Sequence, residues 1–268
     1  MEERRARKAS RKEVNLLISK DLARLATAAC SEFVRIAENS IAQRGCFRVA
    51  LSGGSTPVAL YKELVNADLD WDRTFFFFGD ERNVPAEDEQ SNYRLADEHL
   101  FQPLKIDPER VFRWRTEVGA PDAVAEDYRT QLHIGWLKGM PSDETVEGGV
   151  LTLMANDLRF DLIILGMGTD GHTASLFPGT MALQFTSEIA VANWVPQLDQ
   201  WRFTLSFTAI NNARNVMFMV SGREKAAALK AVIEGKPDPE KLPAQSVKPV
   251  DGELFWLLDR DAASELSS

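Results

Sequence analysis

The chain has 268 residues, of which 44% are hydrophobic and 26% charged, a composition typical of an ordinary globular protein and not of a disordered or fibrous one. A net charge of −9 argues against a general nucleic-acid-binding protein, because phosphate backbones require clustered lysine and arginine. No apolar run reaches the length of a membrane span, and Cys30 and Cys46 give neither a disulfide framework nor a metal-site pattern. We therefore expect a cytoplasmic protein with no membrane or nucleic-acid partner.

The N-terminal segment is basic but lacks the apolar stretch of a secretory signal, and Glu2 and Glu3 argue against a transit peptide. We interpret residues 1–12 as a charged, frayed extension and residues 13–268 as a single α/β domain. Apolar residues recur at mostly helical spacing over residues 14–42, which predicts one or two helices.

A strand predicted at residues 47–51 leads into a loop rich in glycine and hydroxyl groups. The loop consists of Ser52, Gly53, Gly54, Ser55 and Thr56. Pro57 favours the first position of a helix over residues 58–65, with Ser55 or Thr56 as its cap. The free N–H groups at such a terminus attract anions, and the absence of a following Gly-Lys-Ser/Thr excludes a Walker A loop. A tight turn is the alternative, but phosphate binding accounts better for two glycines among three hydroxyl residues.

A second buried strand is predicted at residues 74–78, and the charged residues Asp80, Glu81 and Arg82 follow it. Such a cluster is often only the point where the chain reaches solvent. Because open α/β sheets bind ligands at the carboxyl ends of their strands, we expect the cluster to face the same crevice as the glycine loop. His99 and His133 fall in helices predicted at residues 92–101 and 122–137, the first capped by Asn92, and neither has the spacing of a metal ligand.

The most informative stretch follows a strand predicted at residues 160–165. Three glycines within six residues allow a sharp turn, which places Asp170 and His172 beyond the carboxyl end of the strand. A histidine beside an acid in such a loop is a candidate for proton transfer, although many histidines are structural. The Gly-x-Gly-x-x-Gly spacing also matches a dinucleotide fingerprint, but Pro178 interrupts the long helix that NAD binding requires.

Further strands are predicted at residues 189–192, 202–206, 216–220 and 254–258, the last as an edge or hairpin strand. Lys225 lies in the first turn of a predicted helix, where a cation opposes the helix dipole unless an anionic ligand compensates it. A solvated lysine is the alternative. Residues 140–149 are predicted to form a surface loop. Strands that alternate with helices predict an α/β fold with a doubly wound, mostly parallel sheet flanked by helices.

Five motifs in order give the chain its resemblance to the 6-phosphogluconolactonases, within the wider group that includes glucosamine-6-phosphate deaminase and ribose-5-phosphate isomerase. They are L-S-G-G-S-T-P at residues 51–57, G-D-E-R at 79–82 with S-N-Y at 91–93, G-M-G-T-D-G-H-T-A-S-L-F-P at 166–178, R-F-T at 202–204 and G-R-E-K at 222–225. The resemblance covers nearly the whole chain from residue 14 to residue 259 and implies a Rossmann-like fold. The deaminases carry an acidic residue five positions after the histidine, where this chain has Phe177.

The resemblance implies hydrolysis of 6-phospho-D-glucono-1,5-lactone to 6-phospho-D-gluconate in the oxidative pentose phosphate pathway, without cofactor or metal. His172 would activate water, Asp170 would orient the imidazole or the loop, and Arg82 would bind phosphate or stabilise the oxyanion. The residues implied to bind substrate are Ser52, Gly53, Gly54, Ser55, Thr56, Asp80, Gly168, Arg202 and Lys225. The implied partner is a small sugar-phosphate lactone, and we expect a monomer or weak homo-oligomer. The alternatives are a sugar-phosphate-binding regulatory domain without turnover and, disfavoured by Phe177, an isomerase or deaminase.

Overall fold

The computed structural model describes residues 15–138 and 158–267, so the predictions for residues 1–12 and 140–149 lie outside the described residues. The strands in these ranges are β1 Asn15–Ser19, β2 Phe47–Leu51, β3 Thr74–Phe78, β4 Asp80–Arg82, β5 Leu162–Leu165, β6 Ala190–Val195, β7 Gln200–Leu205, β8 Asn215–Val220 and β9 Glu253–Asp259. The helices are α1 Leu22–Arg44, α2 Ser55–Leu64, α3 Asn92–Ala96, α4 Gln102–Leu104, α5 Pro121–Lys138, α6 Phe207–Asn212 and α7 Ala226–Ile233.

Six of the strands form a parallel sheet in the order β1-β9-β8-β5-β2-β3. Strands β2, β3 and β5 are buried along their whole length. This burial explains their composition, because a parallel strand covered on both faces is a continuous apolar run. The predicted doubly wound, mostly parallel α/β fold is confirmed, as are the strands predicted from these three runs.

A second, antiparallel sheet has the order β4-β7-β6 and stands beside the carboxyl ends of the first. Gly79 joins the two sheets, since its N–H donates to the carbonyl of Leu51 at 2.9 Å and its own carbonyl accepts from the N–H of Leu205 at 2.8 Å. The charged cluster after β3 is therefore the short strand β4 and not a loop. Its position in a second sheet depends on pairing with β7, more than 100 residues later.

Two sequence predictions are wrong at the opposite edge of the parallel sheet. Residues 15–19 are the strand β1 and not helical, and β9 is an inner strand and not an edge or hairpin strand. One pairing causes both differences: β1 runs parallel to β9, with Leu17 opposite Leu257. Since the side chains of Leu16, Leu17 and Ile18 are exposed, the apolar spacing that suggested a helix does not mark a buried face.

The helix predicted over residues 14–42 corresponds to α1, whose N-cap Asp21 accepts a hydrogen bond from the N–H of Arg24 at 2.9 Å. The helices predicted at residues 92–101 and 122–137 are also present, as α3 with the π-helical segment Asp97–Phe101, and as α5. The cap of α3 is Ser91 and not Asn92. Among the helices of the described ranges, none combines the length and apolar character needed to cross a bilayer.

Candidate active site

A cavity of about 330 Å³ opens at the carboxyl ends of β2, β5 and β8. All the predicted site residues line it except Asp170 and Arg202. Those that do are Ser52, Gly53, Gly54, Ser55, Thr56, Asp80, Arg82, Gly168, His172 and Lys225. A larger cavity of about 750 Å³ lies at the opposite ends of the strands, beside the start of β9, and none of the predicted site residues lines it. We place the candidate site in the smaller cavity because the titratable and glycine-rich loops converge there.

The glycine loop after β2 leads directly into α2, which begins at Ser55. The prediction that Pro57 is the first helical residue under a Ser55 or Thr56 cap is wrong. The N-cap is Gly54, whose φ of 100° lies in the region that favours glycine, and no side chain caps the helix. Ser55 and Thr56, the first residues of this ten-residue helix, line the cavity, and an uncapped helix N-terminus attracts an anion.

His172 and Asp170 form a hydrogen-bonded pair in the loop after β5. The distance between His172 Nδ1 and Asp170 Oδ1 is 2.6 Å, and the same oxygen accepts from the backbone N–H of His172 at 3.1 Å. Burial opposes ionisation of Asp170, but its hydrogen bond to His172 and the charge of that side chain outweigh it, so its pKa lies below the ordinary value. An ionised Asp170 can only accept, so His172 carries its proton on Nδ1. No described hydrogen bond engages Nε2, which leaves it available to a ligand in the cavity.

Gly168 contributes to this pair by having no side chain. A methyl group on its Cα would lie 2.1 Å from His172 Nδ1 and 2.4 Å from Asp170 Oδ1. The backbone N–H of Gly168 also donates to the carbonyl of His172 at 2.8 Å. Gly168 therefore admits the imidazole as well as lining the cavity, where the sequence predicted a residue that contacts substrate.

Asp80 is a buried carboxylate on the cavity wall that links β4 to α3 and to the loop after β5. Its Oδ2 accepts from Ser175 Oγ at 2.7 Å, and its Oδ1 accepts from the side-chain amide of Asn92 at 3.2 Å. Asn92 is 1% exposed, and its Oδ1 has no hydrogen-bond partner among the described residues. The sequence assigned Asn92 only a capping role, and the S-N-Y motif was the one signal that could have indicated its place on the cavity wall.

Glu81 turns away from the cavity, contrary to the expectation that the whole charged cluster faces it. Its carboxylate accepts from the N–H groups of Arg82, Asn92 and Tyr93 at 2.8 to 2.9 Å and from Ser91 Oγ at 3.1 Å. Burial raises the pKa of this carboxyl group in spite of these donors. Glu81 thus fixes the start of α3 and, through it, the place of Asn92.

Arg82 and Arg202 lie directly opposite each other on β4 and β7. Arg82 donates to the carbonyl of Gln90 and Arg202 to Gln200 Oε1, and no carboxylate pairs with either among the described residues. Burial, and then the charge of Arg82, lower the pKa of Arg202. Like charges directly opposite in a sheet repel, so this pair is a position that an anion would stabilise. Arg202 does not itself line the cavity, but it lies beside Arg82, which does.

Lys225 reaches the cavity from the turn between β8 and α7. Asp259 holds that turn, because its carboxylate accepts from Ser221 Oγ at 2.5 Å and from the N–H of Gly222 at 3.2 Å. Lys225 is half-buried and lines the cavity, whereas Arg223, two residues earlier, is exposed. Glu224 and Ser221 also line the cavity; Glu224 lies within the G-R-E-K motif, but the sequence analysis gave neither residue a role in the site.

Comparison with known proteins agrees with this geometry. Residues 20–256 match the family model described as glucosamine-6-phosphate isomerases/6-phosphogluconolactonase. A 6-phosphogluconolactonase of Chlamydia pneumoniae is 36% identical over 92% of this chain and 88% of its own length. One from Synechocystis sp. is 36% identical over 95% and 98%. The solved 6-phosphogluconolactonase of Trypanosoma brucei is 30% identical, with a TM-score of 0.78 over 95% of this chain and 99% of that one. The chain belongs to the glucosamine-6-phosphate isomerase/6-phosphogluconolactonase family.

Proposed function

We propose that this chain hydrolyses 6-phospho-D-glucono-1,5-lactone to 6-phospho-D-gluconate, the lactonase step of the oxidative pentose phosphate pathway. The observation that carries the proposal is the His172–Asp170 pair at 2.6 Å, in a cavity also lined by an uncapped helix terminus and by Arg82, which has no carboxylate partner among the described residues. A general base next to an anion site is what hydrolysis of a phosphorylated lactone requires. The relatives described above bear the name of this activity.

In the proposed mechanism His172 Nε2 accepts a proton from a water molecule as the water oxygen bonds to C1 of the lactone. The carbonyl oxygen becomes an oxyanion while Asp170 accepts from Nδ1 and stabilises the imidazolium. The bond between C1 and the ring oxygen then breaks, and the imidazolium returns its proton to that oxygen, which becomes a hydroxyl group. The products are the open-chain acid and the original neutral histidine.

The phosphate group is assigned to the cationic side of the cavity. The uncapped start of α2 offers N–H donors, Lys225 supplies one charge from the turn before α7, and Arg82 supplies another. We assign Arg82 to phosphate and not to the oxyanion because Arg202 stands directly opposite it, and two neighbouring guanidinium groups suit a dianion.

We further propose that the chain acts in the cytoplasm as a single α/β domain and a monomer or weak homo-oligomer. Neither Cys30 nor Cys46 forms a disulfide bond within the described residues. Burial raises the pKa of each thiol, which keeps both in the protonated, unreactive form that suits a reducing compartment. Light scattering of the purified protein measures the mass directly, and a stable higher oligomer would contradict this part of the proposal.

The decisive experiment measures hydrolysis of freshly generated 6-phosphogluconolactone, with the product oxidised in a coupled assay and the spontaneous rate subtracted. We expect His172→Gln to lower kcat by roughly 10²- to 10⁴-fold, because it removes the general base. His99→Gln is the matched control, since His99 lies in the π-helical segment and does not line the cavity. If the wild-type rate equals the spontaneous rate while 6-phosphogluconate still binds, the chain is a sugar-phosphate-binding domain without turnover and not an enzyme.

A further inference from the structure

The imidazole of His172 packs against an aromatic ring from its own loop. The ring centroids of His172 and Phe177 are 4.0 Å apart and the planes are inclined by 23°, which is a stacked arrangement. Phe177 is 8% exposed and His172 retains access to the cavity. Together with the hydrogen bond from Nδ1 to Asp170, this contact restrains the imidazole at one edge and on one face.

A bend in the backbone brings Phe177 back over His172. Ala174 has a φ of 46°, in the region that favours glycine, and the N–H of Leu176 donates to the carbonyl of Thr173 at 2.9 Å. A non-glycine residue in this conformation persists only where its surroundings hold it, and such positions are concentrated at functional sites. We interpret the tight reversal over residues 173–176 as the feature that places Phe177 on the imidazole of His172.

Side chains behind the loop hold this bend in place. Asn193, on β6, donates from its side-chain amide to the carbonyl of Ser175 at 2.9 Å and to Thr180 Oγ1 at 3.0 Å. Thr180 Oγ1 in turn donates to the carbonyl of Phe177 at 2.8 Å. Because both Asn193 and Thr180 are buried, Phe177 is positioned by the second sheet and not by solvent-exposed loop contacts.

We propose that Phe177 is a positioning residue for His172, and that the stack keeps Nε2 directed at the attacking water molecule. This inference rests on the proposed lactonase function and adds a residue to it. The Asp170 hydrogen bond alone fixes one ring atom and leaves the imidazole free to rock about it. A flat apolar ring at 4.0 Å removes that freedom and excludes water from one face of the imidazole.

The kinetic test replaces Phe177 by leucine, which fills much of the volume but cannot stack. We expect Phe177→Leu to lower kcat roughly 10- to 100-fold with little change in KM, since misplacement of a catalytic group affects the chemical step. Phe177→Tyr retains the ring and should keep kcat near the wild-type value. The matched control is Phe33→Leu, because Phe33 is equally buried but packs edge-on against Phe47, remote from the cavity lining.

An unchanged kcat in Phe177→Leu would overturn the proposal, and so would an equal loss in Phe33→Leu, which would indicate general destabilisation. A tyrosine variant as slow as the leucine variant would also contradict it.

A spectroscopic test is independent of turnover. The chain has three histidines, so the ring protons of His172 are assigned in the proton NMR spectrum by comparison with His172→Gln. A stacked ring shifts them upfield, and we expect Phe177→Leu, but not Phe33→Leu, to move them downfield. If the wild type is inactive, the proposed function fails while this readout still decides whether Phe177 holds the imidazole. Unmoved signals would refute the positioning role.

Discussion

Gly168 contributes to the site because its lack of a side chain leaves room for His172 and Asp170. Its backbone φ is ordinary, so alanine would meet no conformational barrier there. The obstacle is local, because the added methyl group would overlap the imidazole of His172 and the carboxylate of Asp170. From the sequence, Gly168 was expected to contact substrate, and its role in leaving room for His172 appears only in the packing.

We expect Gly168→Ala to lower kcat by roughly 10²-fold, since His172 and Asp170 must move to admit the methyl group. The change should have little effect on thermal unfolding, because the substitution lies on the wall of a cavity. Steady-state kinetics and a melting curve of the same preparation check both parts. A variant with wild-type kcat would show that the imidazole acts from a different position.

The elements that we propose to bind phosphate are two helix starts, α2 and the turn before α7, and they were predictable to different degrees. The glycines and hydroxyl residues before α2 predicted an anion site, which stays a prediction, and the helix begins two residues earlier than the proline suggested. Propensity favours proline at the first position, whereas here the glycine at position 54 permits the earlier start. For Lys225 the sequence left a solvated surface side chain as the alternative, and the structure places it in the cavity wall.

We expect Lys225→Ala to raise KM by roughly 10- to 100-fold and to leave kcat nearly unchanged, because a charge that binds phosphate equally in ground state and transition state affects binding alone. Arg223→Ala is the control, since that side chain is exposed in the same turn and does not line the cavity. Kinetics of both variants provide the test. A fall in kcat at constant KM would instead place Lys225 at the reacting carbonyl.

At the scale of the whole molecule, the strands β2, β3 and β5 of the parallel sheet were predictable from the sequence, but the edge strand β1 was not. Strands β2, β3 and β5 carry short apolar runs, and their burial on both faces made them recognisable. Strand β1 is exposed and depends on β9, which lies some 240 residues later, and β4 depends on β7. Such pairings are long-range contacts, and residues 15–19 contain no local pattern that specifies them. The stack of His172 on Phe177 joins residues only five apart, but it depends on a bend held by Asn193 from β6, which the loop sequence does not reveal.

A matched pair of substitutions tests how little the edge contributes to stability. Leu17 and Leu257 are opposite each other in the register of β1 and β9, but Leu17 is 47% exposed and Leu257 is 4% exposed. We expect Leu17→Thr to change the free energy of unfolding by less than about 1 kcal/mol, and Leu257→Thr to reduce it by about 2 to 4 kcal/mol. Urea denaturation measures both. Equal losses would mean that β1 belongs to the buried core.

The order of the three central strands has a consequence for substrate length. The His172 loop follows β5, which lies between β2 and β8, and these two strands carry the glycine loop and the Lys225 turn. Neighbouring strands are about 4.8 Å apart, so the sheet fixes the separation between the histidine and the groups that we propose to bind phosphate. A sugar lactone shorter by one carbon, with its phosphate bound in the same place, would have its carbonyl farther from His172. We therefore expect such a lactone to be hydrolysed more slowly than the proposed substrate.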